Sequence, residues 1–65
     1  MPNLKQSIIE AAEYYERKAE MYRHRAERAA AGSSIQHEIT EAYKYTLGKA
    51  KAMREAIEYV EEFLG

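Results

Sequence analysis

One interruption constrains this chain more than anything else in it. From Leu4 to Ala31, and again from Ile35 to Leu64, the sequence holds no proline, and Gly48 is the single glycine inside either run. Between the runs lies Gly32-Ser33-Ser34. Two long helix-compatible stretches joined by three residues must fold back on one another, because so short a connection leaves an antiparallel helical hairpin as the accessible arrangement. The expected organisation is one domain over residues 1–65, with a helix at 4–31, a turn at 32–34 and a helix at 35–64.

The spacing of apolar residues says which surfaces meet. In the first run Ile8, Ala12, Tyr15, Ala19, Tyr22, Ala26 and Ala29 follow one another at steps of four and three. In the second, Ile39, Tyr43, Thr46, Ala50, Met53, Ile57, Val60 and Leu64 do the same. Alternating steps of four and three keep one stripe facing a partner helix. Every second member of the first stripe is alanine, which lets the partner approach closely. Folded as a hairpin, residues whose numbers add to about 66 should face each other, so Ala19 meets Thr46 and Tyr22 meets Tyr43. The ends carry matching signals. Asn3 with Gln6, after Pro2, and Ser33 with Gln36 have the spacing of a capping box. Gly32 supplies a left-handed stop to the first helix. Gly48 falls on the solvent side of the second, and Gly65 ends the chain.

Each helix carries a second apolar stripe that one partner cannot cover. It comprises Leu4, Ala11, Tyr14 and Met21 on the first helix, with Ile35, Ala42, Tyr45, Ala52, Ala56, Tyr59 and Phe63 on the second. An apolar arc this broad is an association surface. At 65 residues the chain is also in the size range that needs disulfides, metal or oligomerisation for stability, and it has no cysteine. The expected fold is therefore all-α, a hairpin assembling into a four-helix-bundle dimer or a higher homo-oligomer. These stripe residues form its oligomer interface.

Composition excludes much else. The chain is 46% apolar and 32% charged, which suits a folded helical protein rather than a disordered one. No apolar run approaches the length of a membrane span, and the first residues show no secretory pattern. There is no cysteine and no aspartate, no glycine-rich phosphate loop, and no histidine beside an evident serine nucleophile. We therefore expect no enzyme activity, cofactor or metal. Glu20–His24 and His37–Glu41 are each one turn apart, but both histidines fall outside the stripe.

The net charge of −1 conceals a division. Residues 17–51, the half nearest the turn, have eight cations against four glutamates. The open half has two cations against seven glutamates. Such a separation favours antiparallel pairing of two hairpins and gives the tip a positive field. Tyrosines lie among those cations, densest around Tyr22-Arg23-His24-Arg25-Ala26-Glu27-Arg28. Cations that meet phosphate beside rings that stack on bases are what a nucleotide or nucleic acid requires. The candidate anion-binding residues are Arg17, Arg25, Arg28, Lys44, Tyr45 and Lys49. The opposing reading is that these arginines are neutralised by neighbouring glutamates, as at Glu13–Arg17, and that the tyrosines belong to the stripe.

The stretch Tyr45-Thr46-Leu47-Gly48-Lys49-Ala50-Lys51-Ala52-Met53-Arg54-Glu55-Ala56 resembles a pattern found in small helical-hairpin proteins of bacteria and their phages. In architecture the chain is similar to RNA-binding hairpin dimers that form antiparallel four-helix bundles. It is similar also to phage counter-defence hairpins that assemble into oligomers and sequester signalling nucleotides. The resemblance implies a cytoplasmic protein of a bacterium or phage-infected cell that associates with itself and acts by binding. No functional residues carry over from it. A protein–protein module that docks its wide apolar face on a different partner is the alternative.

Overall fold

The computed structural model describes residues 3–63. Pro2, Leu64 and Gly65, to which the sequence assigns a helix entry, a stripe position and a helix end, lie outside them. The described chain is all-helical: α1 spans Leu4–Arg28 and α2 spans Ser34–Phe63, packed side by side as a hairpin. The molecule measures 46 × 20 × 12 Å. Twelve ångströms is the diameter of one helix, so the hairpin is a single layer.

Both helices start as the sequence predicts. The Asn3 carboxamide oxygen accepts from the Gln6 N–H at 2.7 Å, satisfying one of the unpaired donors of the first turn. The Ser33 hydroxyl does the same for the Gln36 N–H at 3.1 Å.

The end of α1 differs from expectation. The helix stops at Arg28 rather than Ala31, and the turn occupies five residues, 29–33, rather than three. Ala29 is already extended (φ −74°, ψ 154°), although its N–H still reaches the Arg25 and Ala26 carbonyls. Gly32 is indeed left-handed, at φ 76°, but it sits inside the turn and not at the helix end. Alanine favours helix by only tenths of a kcal/mol per residue. The chain instead closes through a different set of bonds. The Gln36 side chain does not fold back on its own cap. It accepts from the Gly32 N–H at 2.8 Å and donates to the Ala26 carbonyl at 3.1 Å, tying the start of α2 to the end of α1.

The stripe is the interface between the helices. Ala12, Ala19, Thr46, Ala50 and Ile57 are buried, and the remaining described stripe residues are half-buried. Bonds across the pair confirm the register: Lys5–Glu61, Glu16–Arg54 and Gln36–Ala26 have residue numbers adding to 66, 70 and 62. Thr46 is satisfied in the core because its hydroxyl donates to the Ala42 carbonyl at 2.9 Å. Among the described residues no large side chain is fully buried. The core is a line of small residues closed by Ile57 toward the open end, and the other large stripe residues lie along its margins.

Gly48 is exposed, with nothing within 4 Å of where a β-carbon would stand. Gly48→Ala is expected to stabilise the hairpin by about 0.5–1 kcal/mol, through the lower helical cost of alanine. Thermal melting followed by circular dichroism checks this. A lower melting point would mean that something approaches this side of α2.

Candidate functional site

At about 100° per residue, the second apolar stripes of α1 and α2 project on the same side of the hairpin. Among the described residues, the six large apolar ones that remain exposed are on that side: Leu4, Tyr14, Ile35, Tyr45, Tyr59 and Phe63, each 50–63% accessible. Ala52 is exposed among them, and Ala11, Met21, Ala42 and Ala56 are half-buried between the stripe and this face. Tyr59 and Phe63 stack at 4.5 Å near the open end.

The opposite side is built of ions. Arg54 donates twice to Glu16, at 2.7 and 3.0 Å, across the two helices. Lys5 lies 3.7 Å from Glu61. Arg23 bonds Glu20 and, at 2.7 Å, Glu27, while His24 sits 3.1 Å from Glu20. Ile9 and Leu47, which neither stripe predicts, are half-buried here beside the ion pairs. The Arg54 hydrogen bond holds the Glu16 carboxyl below its ordinary value of 4.5, and the Arg23 hydrogen bond lowers Glu20 likewise. A carboxyl lowered in the folded state stabilises it fully above 4.5, and that contribution disappears as pH falls through the lowered value. Glu16→Gln is therefore expected to melt slightly below the parent chain at pH 7, and the gap should shrink progressively as pH falls below 4.5. A gap that did not shrink with acidification would detach Glu16 from this role.

The cations divide between the two sides. Lys5, Arg23 and Arg54 on the ionic side are paired, as is Lys44 with Glu41 at 3.7 Å. Among the described residues, Arg17, Lys18, Arg25, Arg28, Lys49 and Lys51 form no ion pair. The local Glu13–Arg17 pair does not form. Glu16 is taken by Arg54, and Glu27 by Arg23.

Three of the six candidate anion-binding residues, Arg25, Tyr45 and Lys49, share the apolar face in its half nearest the turn. Lys49 lies 5.4 Å from the centre of the Tyr45 ring. Arg28 is at the edge of that face. Arg17 is on the outer flank of α1, away from the others. Lys44 lines a shallow hollow of 310 Å³ at the start of α2, with Gly32, Ser33, Gln36, His37, Thr40 and Glu41. That hollow is a poor anion cradle, because the Gly32 and Gln36 N–H groups are already bonded and Lys44 is paired with Glu41.

The residue that sequence reasoning omitted is Lys18. It is half-buried on the same face as Lys49, 5.9 Å from the Tyr14 ring centre and 5.8 Å from that of Tyr22. Its signal was present: Lys18 lies four residues after Tyr14 and three before Met21, so it continues the second stripe.

Among the described residues no helix is long and apolar enough to cross a membrane, and no three histidine or acidic groups gather as metal ligands would. Comparison with known protein families, with curated proteins and with solved structures finds no match.

Proposed function

We propose that this chain is a non-enzymatic binding protein that works as a homodimer, two hairpins closed face to face into a four-helix bundle. In this reading the unpaired cations of the apolar face, Arg25 and Lys49 with Tyr45 beside them, take an anionic ligand of the nucleotide or nucleic-acid class. The observation that carries the reading is the collection of the exposed large apolar residues, among those described, on one side, while the ion pairs that join the two helices occupy the other.

Area supports it. A compact 7.5 kDa monomer would expose about 4,250 Å². The hairpin exposes 4989 Å², roughly 740 Å² more. That surplus is close to the ~800 Å² that one partner buries in a standard interface.

Charge supports one orientation. The basic half should lie over the acidic half of the second copy, since the reverse places like charges together. A two-fold axis through the middle of the face then brings Ile35 over the partner's Phe63, within a residue. It brings Tyr45 over the partner's Ala52 and Ala42 over the partner's Ala56. Tyr45 thus meets a small residue, the two alanines let the helices approach closely, and Ile35 and Phe63 form an apolar contact at each end.

Sedimentation equilibrium tests the reading. The expected mass at tens of micromolar is twice 7.5 kDa. A chain that stays monomeric both with and without a polyanion would end it and leave the apolar face to a different protein.

A further inference from the structure

We infer that the dimer holds one multivalent anion, of the polyphosphate class, at its centre, and that this anion drives self-association. The inference rests on the face-to-face dimer proposed above. Lys18 is the fifteenth of the 25 residues of α1, and Lys49 the sixteenth of the 30 of α2. Both are therefore close to the middle of the hairpin. Their numbers add to 67, which places them across the seam from one another at the same level. Both lie on the apolar face, both are half-buried, and neither pairs with a carboxylate among the described residues.

Closing two such faces around a two-fold axis puts middle over middle. This holds whether the tip of one hairpin covers the tip or the open end of the other. In either orientation Lys18 and Lys49 of both copies converge, four ammonium groups in an interface from which water is being removed. Like charges repel more strongly as the dielectric falls. The neighbouring carboxylates do not relieve this. Glu16 and Glu20, at the same level, are on the ionic side and held by Arg54 and Arg23. Glu10 is two turns away along α1, and Glu38 three turns away along α2. A bound anion with several charges removes the repulsion and bonds all four amines at once. Arg25, two turns nearer the tip, adds a guanidinium from each copy. The Tyr14 and Tyr45 rings beside the lysines offer flat surfaces on which a nucleobase would stack.

Inorganic tripolyphosphate is the probe. Sedimentation velocity in low-salt buffer, with and without it, gives the dimer dissociation constant, and sodium chloride at matched ionic strength is the control. Tripolyphosphate at ten times its own dissociation constant should tighten the dimer about tenfold, and chloride should not. The double variant Lys18→Met, Lys49→Met should dimerise more tightly than the parent without anion and ignore tripolyphosphate. An ATP arm identifies the source of the phosphate: tightening beyond that by tripolyphosphate assigns a nucleotide, and equal tightening assigns the phosphates alone. A dimer indifferent to tripolyphosphate, or a double variant that responds like the parent, overturns the inference and leaves self-association standing. A monomer under every condition overturns both.

Discussion

Ala12→Leu is expected to destabilise the hairpin by about 1–3 kcal/mol, the usual penalty for forcing extra methylenes into a packed site. Ala12 has no accessible surface at all, in a seam whose other buried members are Ala19, Thr46, Ala50 and Ile57. The helices approach closely because these residues are small, and a leucine must push them apart. In a single layer two helices wide, separation at one point weakens the contacts above and below it. Each kcal/mol lowers the melting temperature of a 60–100-residue domain by roughly 4–8 °C, so circular dichroism resolves the effect. Ala52→Leu is the contrasting variant. Ala52 is exposed on the apolar face, and leucine there should leave the hairpin itself intact. If Ala12→Leu melted with the parent chain, the close seam would be wrong.

The seam was legible because it depends on spacing alone. Steps of four and three named Ala12, Ala19, Ala50 and Ile57, and those residues are buried. The caps were legible for a similar reason, since Asn3–Gln6 and Ser33–Gln36 are local contacts. The Ala29–Ala31 stretch misled, because alanine signals helix through a weak intrinsic preference. Its conformation is decided by a bond from Gln36 to Ala26, ten residues away. Ion pairing was harder still. Glu16 has Arg17 beside it in sequence, yet it binds Arg54, 38 residues distant, because the hairpin brings that guanidinium to the same side. The candidate anion site was gathered by closeness in sequence, and that grouping mixed two faces. Helical rotation separates Arg17 and Lys44 from Arg25, Tyr45 and Lys49, and it returns Lys18 to the group.

Replacing both Tyr59 and Phe63 with glutamate should dissociate the proposed dimer while sparing the fold. These rings stack on one another at 4.5 Å and are 63% and 61% exposed. Each contributes little to the lone hairpin and would be covered in the dimer. At the end of the face rather than its centre, each ring should contribute about 1 kcal/mol, so losing two should weaken the dimer by roughly thirtyfold. Sedimentation reads the dissociation constant, and an unchanged constant would place the contact on another side. Glu58→Gln, outside the face, serves as the neutral control. The sign of the new charge then reports orientation. With tip over open end, Tyr59 and Phe63 approach the basic half of the partner, where lysines at both positions must be worse than glutamates. With tip over tip, the two acidic ends meet and the order reverses, because glutamates add to repulsion that lysines relieve. The ranking of Glu and Lys variants at Tyr59 and Phe63 thus decides between the two bundles, independently of how much affinity either one loses.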